Sequence, residues 1–138
     1  NAKGIDVGVC DVITENNLDE NIKMLKSLSL ETGSIIVATG IIDIITNGIH
    51  TYLISNGCEM LSMITGTGCM LNVLIASYIS SGDVLGGVIL AVGLMGICGE
   101  LSQNVKGTGS FRVELLDNIF SISDDIIREK LQIKKRDD

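Results

Sequence analysis

"ITGTGCMLNVLIASYI", residues 64–79, places two threonines, two glycines and a cysteine immediately ahead of an apolar run. The run predicts a helix that opens at the glycines and continues to about Tyr78, where "SSGD" breaks it. A helix beginning at Gly68 exposes several unpaired backbone N–H groups and the positive end of its dipole. Gly66 and Gly68 let a ligand approach that backbone without meeting a Cβ, and Thr67 adds a hydroxyl donor. Cys69, in the first turn, feels the same dipole, which favours its thiolate. Such a set suits an oxyanion or a transferring phosphoryl group. The plainer reading is a tight turn with Cys69 in the core, and pattern alone favours it because short glycine motifs are common. The stretch is not a Walker A loop, since no lysine follows the glycines, and Leu71 stands where G-x-G-x-x-G needs its third glycine.

Outward from this stretch, residues 60–82 and 84–99 carry no formal charge, which raises a membrane reading. "TGTG", Asn72 and "SSG" leave about a dozen continuous apolar helical residues in the first, and the second falls short of the roughly 20 that a span requires. Two helices buried inside protein are expected instead. Asp83 is placed to cap the second, which continues to about Gln103 and carries Gly86, Gly87, Gly93 and Gly96. Each glycine lowers helix stability by ~1 kcal/mol, so close packing of neighbouring backbones is expected there.

Toward the N-terminus, Leu18, Ile22, Leu25 and Leu28 or Ser29 recur at helical spacing, and Gly33 ends that helix as a C-cap. "SIIVATG" reads as a buried strand. In "IDIITNGIHTYLIS" two β-rich runs meet at Asn47-Gly48, predicting a hairpin with a type I′ turn. Toward the C-terminus, "KGTGS" is a second glycine loop, "FRVELLDNIF" is helical, and Asp124 and Asp125 open a last helix. "KLQIKKRDD" reads as a solvated helix end or tail. About three strands and four or five helices point to an α/β fold with helices covering a sheet. Two nearly all-apolar helices need more protein around them than so few strands supply, which suggests part of a larger domain or an obligate oligomer.

Composition narrows the function. The 138 residues suit one domain, and with two Phe, two Tyr and no Trp the core must be Ile, Leu, Val and Met. A net charge of −7 argues against nucleic-acid binding. Cys10, Cys58, Cys69 and Cys98 form no C-x-x-C, and His50 is the single histidine, so a zinc site is not expected. Nothing resembles a signal peptide, and a reduced, cytoplasmic setting fits, with the cysteines mostly small buried hydrophobes.

"ATGIIDIITNG", "ISNGCEMLSMITGTGCML", "GICGEL" and "GTGSFRVELLD", with "KGID" at residues 3–6, together resemble the hydroxyethylthiazole kinases of the ribokinase-like superfamily. The resemblance covers essentially the whole chain, and "ITGTGC" is specific because most ribokinase-like enzymes have aspartate where Cys69 stands. It implies a ribokinase-like three-layer αβα fold, of which residues 1–138 are the C-terminal half of a single kinase domain. It also implies ATP-dependent phosphorylation of the hydroxyl of 4-methyl-5-(2-hydroxyethyl)thiazole in thiamine biosynthesis or salvage. Thr39 matches the ATP-contacting threonine and Gly66 the glycine of substrate binding. Gly66, Thr67, Gly68 and Cys69 match the anion hole, and Cys69 stands at the superfamily's base. The family's magnesium-coordinating acids, nucleotide-contacting arginine and thiazole contacts belong to its first half and have no counterparts here, so an isolated half is expected to be inactive. A homotrimer with sites between subunits is implied as well.

Two departures matter. Ile41 replaces a common glutamate on the presumed nucleotide side, and Thr108 replaces a proline. Alternatives are a non-catalytic nucleotide- or thiazole-binding module and a kinase for another small alcohol such as a hydroxymethylpyrimidine. Among lesser candidates, His50 reads as an exposed strand residue, Asp43 as a hydrogen-bonding group of the hairpin, and Glu100 as paired or at an exposed helix end. Lys106 and Arg112 flank "GTGSF" within reach of a phosphate, and Met60, Met63, Met70 and Met95 read as core or interface filler.

Overall fold

The computed structural model describes Ile13 and residues 17–136; the "KGID" match and Cys10 lie outside the described residues. The described residues fall into two compact units, one drawn from residues 1–53 with 134–138 and the other from residues 54–133.

In the first unit, helix α1 (Leu18–Thr32) turns Ile22, Leu25 and Ser29 inward and carries Asp19 and Glu20 in its first turn, where the dipole favours acids. Gly33 ends it in the left-handed conformation, φ 64°, as expected of a C-cap. Strands β1 (Ile36–Ala38), β2 (Asp43–Thr46), β3 (Thr51–Ile54) and β4 (Ile133–Arg136) lie side by side in that order. β1 runs antiparallel to β2, with Ile36 opposite Thr46 and Ala38 opposite Ile44. Ile13, Ile22, Leu25, Ile44 and Leu53 make the core.

Two expectations are corrected here. The β2–β3 hairpin forms, but its turn is not type I′, which needs positive φ at both central residues. Gly48 has φ 85° and Asn47 does not have a positive φ. Asn47 instead closes a four-residue loop with its side chain, its Oδ1 accepting from the Ile49 and His50 amides at 3.1 and 2.7 Å. The basic C-terminal segment is a strand rather than a tail. Three of β4's four residues are charged, so no apolar alternation announces it, and lysines are usual on edge strands. Arg136 is tied to Asp19 of α1 by an ion pair at 2.5 Å.

The second unit is helical: α2 (Met60–Met63), α3 (Thr67–Ile79), α4 (Val84–Ser102), α5 (Thr108–Ser121) and α6 (Asp124–Lys130). Asp83 caps α4 by accepting from the Gly86 amide at 3.0 Å. α4 is long and apolar enough to cross a membrane by length and composition alone, yet most of it is buried within the protein. Its glycines explain how it fits. A Cβ on Gly96 would stand 2.5 Å from the Asn56 carbonyl oxygen, and one on Gly87 2.9 Å from the Tyr78 carbonyl. Close backbone approach is therefore the reason for glycine at both. Leu94, Met95, Cys98, Phe111 and Leu115 form the core, with Met60 and Met70 packed against it. Burial pushes the Cys98 thiol up to about 11, consistent with a small core residue.

The second apolar helix does not behave as expected. None of α3's residues is fully buried, and Gly68, Cys69, Asn72, Val73, Ala76 and Ser77 form an exposed stripe along it. α4 covers one side of α3, and among the described residues no other element packs as extensively against it.

Candidate functional site

The loop ahead of α3 is built from the second unit's interior outward. Glu100, the lone acid in α4, accepts from Asn56 Nδ2 at 3.1 Å and from the Gly57 amide at 2.9 Å through one oxygen, Oε1. Asn56 also donates from Nδ2 to the Lys130 carbonyl at 2.9 Å, and its Oδ1 accepts from the Gln132 amide at 2.7 Å. Cys58 continues the anchorage by donating from Sγ to the Gly99 carbonyl at 3.2 Å. "SNGC" is thus pinned to α4 and to the end of α6 before the chain enters α2 and the glycine loop. The paired role expected for Glu100 is what it has. The role of Asn56 is not evident from periodicity; the signal for it in the sequence is a lone acid in an apolar helix, which needs a polar partner such as the Asn56-Gly57 pair.

Gly66 caps α3 with φ 106°, a backbone conformation in which any Cβ is strained. The helical ladder begins with the Met70 amide donating to the Gly66 carbonyl at 2.9 Å. The amides of Thr67, Gly68 and Cys69 precede that bond, and among the described residues no side chain caps them. Gly68 and Cys69 are exposed, and a Cβ built on Gly66 or Gly68 would meet nothing within 4 Å. The loop is open rather than roofed by side chains, which removes the plain reading of Cys69 as a core residue.

Thr67 differs from expectation. Its hydroxyl donates to the Leu61 carbonyl at 3.0 Å, with the Ile64 carbonyl 3.5 Å away, so its proton is spent inside the protein. Thr67 therefore braces the loop with its side chain, leaving only its amide toward an anion. The second glycine loop ends the same way: α5 begins at Thr108, its ladder starts with Phe111 donating to the Gly107 carbonyl at 2.9 Å, and no described side chain caps it. Lys106, Thr108 and Arg112 are exposed.

Thr39 belongs to the first unit, in the loop joining β1 to β2, and is exposed. Beside it, Ile41 is 71% exposed, and the Gly40 amide donates to Asp43 Oδ1 at 2.9 Å. Burial outweighs that hydrogen bond and raises the Asp43 carboxyl to about 6. His50 is exposed as expected, but it ends the loop ahead of β3 rather than lying in a strand. Among the described residues no group of three or more His, Cys, Asp or Glu is gathered to hold a metal ion.

The profile of the Hydroxyethylthiazole kinase family matches residues 1–125. The chain belongs to that family. It is 75% identical over 132 residues to hydroxyethylthiazole kinase 2 of Clostridium botulinum (strain 657), covering 96% of this chain and 50% of that protein. Hydroxyethylthiazole kinase 1 of Methanosphaera stadtmanae is 37% identical over 139 residues, covering 97% and 49%. Among solved structures, the hydroxyethylthiazole kinase protein from Pyrococcus horikoshii OT3 superposes with a TM-score of 0.84 at 28% identity, over 89% of this chain and 49% of that one. The ribokinase-like α/β fold implied by the sequence is therefore the fold found. The chain spans about half the length of these relatives.

Proposed function

We propose that this chain is the phosphate-facing half of a kinase that uses ATP to phosphorylate the hydroxyl of 4-methyl-5-(2-hydroxyethyl)thiazole for thiamine biosynthesis. The observation that carries the reading is the open, uncapped start of α3, with exposed Gly68 and Cys69 in a chain of this family.

Phosphoryl transfer through a loose transition state asks for positioning and charge stabilisation more than for a strong base. The amides of Thr67, Gly68 and Cys69 supply fixed dipoles toward the charge that builds on the transferring group. Gly66 borders the alcohol, Cys69 orients its hydroxyl and contributes modestly as a base, and Thr39 contacts the nucleotide. Mg²⁺ accompanies ATP and offsets its charge; its protein ligands, like the thiazole contacts and the nucleotide-contacting arginine, come from the other half of the single kinase domain. The working enzyme is a cytoplasmic homotrimer with sites between subunits. Such an assembly accounts for the exposed uncharged stripe on α3 without a membrane.

A full-length chimera tests this, with this chain replacing the second half of the Clostridium botulinum relative. ATP-dependent phosphorylation of the thiazole alcohol is expected. A folded chimera that binds ATP or the thiazole without turnover, beside an active parent, would instead make the chain a binding module.

A further inference from the structure

We propose that Asp43 is a positioning residue for the nucleotide: by holding the Gly40 amide, its carboxylate sets the loop that presents Thr39. The proposal rests on the kinase reading above and extends it to a residue outside the glycine loop.

The geometry begins with register. Val37 faces Ile45 and Ala38 faces Ile44, and the same register continued sets Thr39 against Asp43. Only Gly40, Ile41 and Ile42 then remain to reverse the chain. A three-residue connection of this kind ordinarily uses a left-handed residue before the second strand. Here Gly40 is not among the positive-φ glycines, and among the described residues no non-glycine residue has positive φ. The Asp43 carboxylate closes the turn instead, accepting from the Gly40 amide at 2.9 Å. Below, the loop is hemmed in: a Cβ on Gly40 would come within 3.1 Å of Ile13 Cβ, and Ile42 packs on the core. Above, Thr39, Gly40 and Ile41 are exposed. One side of the loop is fixed and the other is free to meet a ligand.

What the loop takes from Asp43 is its acceptor rather than its charge. Burial disfavours the charge on Asp43 and raises its carboxyl to about 6, so this acid is held where it opposes folding at neutral pH. Asparagine would present the same Oδ1 acceptor without that opposition.

The test uses the full-length chimera, with folding checked by circular dichroism. Asp43→Ala is expected to raise the KM for ATP about tenfold, the scale of one hydrogen bond to a charged group, with the thiazole KM within about twofold. Asp43→Asn is expected to return the ATP KM to within about threefold of the parent chimera. If Asp43→Ala does not fold, Asp43→Glu, which displaces the acceptor from Gly40, takes its place with the same expected rise. An ATP KM that does not move, an equal rise in both KM values, or failure of Asn to restore a folded enzyme would overturn the proposal. A parent chimera without turnover would overturn the kinase reading, whereas an active one indifferent to Asp43 overturns this inference alone.

Discussion

Asn56 and Glu100, 44 residues apart in sequence, meet through Nδ2 and Oε1 at 3.1 Å, and together they moor the segment that leads into the glycine loop. Asn56 is 5% exposed and makes two further bonds, to the Lys130 carbonyl and the Gln132 amide. Net contributions of about 1 kcal/mol each imply that Asn56→Ala costs about 3 kcal/mol. Asn56→Asp is the sharper test. It is nearly isosteric, but it removes both donors of Nδ2 and sets a second carboxylate against Glu100. At pH 7 it should be at least as destabilising as the alanine change. Glu100→Gln retains an acceptor and should cost under about 1 kcal/mol. Urea unfolding of the three variants at pH 7 checks the ranking.

Asp43 gives a pH signature opposite to that of most aspartates. Its carboxyl is raised from 3.8 to about 6 in the folded chain. Between those values the folded state holds a proton that the unfolded state has released, so this group's contribution to stability falls as pH rises through the window. Above the folded value the penalty is fully present, at up to about 3 kcal/mol for a shift of this size. Asp43→Asn should therefore be more stable than the parent at pH 8, and the difference should shrink toward pH 4. Guanidinium unfolding across that range measures it, and a pH-independent difference would contradict the assignment.

Gly96 and Gly68 separate packing from function. A Cβ at Gly96 would press on the backbone of Asn56, at 2.5 Å from its oxygen and 2.7 Å from its carbonyl carbon. Neither atom can rotate away, so Gly96→Ala should destabilise the protein by about 3 kcal/mol. Gly68 lies in the first turn of α3 with nothing within 4 Å of a Cβ. Gly68→Ala should hold or raise stability by about 0.5–1 kcal/mol. If the proposed anion site is right, it should nevertheless slow turnover in the active chimera, because the added methyl would stand between an anion and the amides. Thermal unfolding beside steady-state rates distinguishes the two outcomes.

The sequence announces most of this architecture where one physical signal dominates. The spacing of Ile22, Leu25 and Ser29 marks the buried face of α1, and Gly33 and Asp83 take the capping roles their chemistry suggests. It is silent where tertiary contacts decide. β4 carries Lys134, Lys135 and Arg136, so its place in the sheet comes from pairing with β3, which local pattern does not encode. Asn47 and Gly48 predict a turn correctly, but the Asn47 side chain selects a longer loop than the dipeptide alone suggests. At the candidate site, the glycines and Cys69 draw notice through the resemblance that "ITGTGC" carries, since short glycine motifs by themselves are common. The inward use of the Thr67 hydroxyl is not legible, because its acceptor, the Leu61 carbonyl, is supplied by how the chain folds back through α2.

Cys69 is exposed in the first turn of α3, one residue past Gly68. In the proposed reaction, a loose phosphoryl transfer in which Cys69 orients the alcohol, the attacking hydroxyl needs placement more than deprotonation. Replacing the thiol should therefore remove orientation and a modest part of general-base assistance, which together commonly amount to about 10²–10⁴-fold in rate. Cys69→Ala in the active chimera is expected to lower kcat within that range, and Cys69→Ser, which keeps a hydroxyl to hydrogen-bond the alcohol, to recover part of the loss. The KM for ATP should change little in both variants, since the neighbouring amides remain. A loss well beyond about 10⁴-fold in the alanine variant, with serine giving no recovery, would mean that the thiolate itself carries the proton, and that base strength rather than placement limits the reaction.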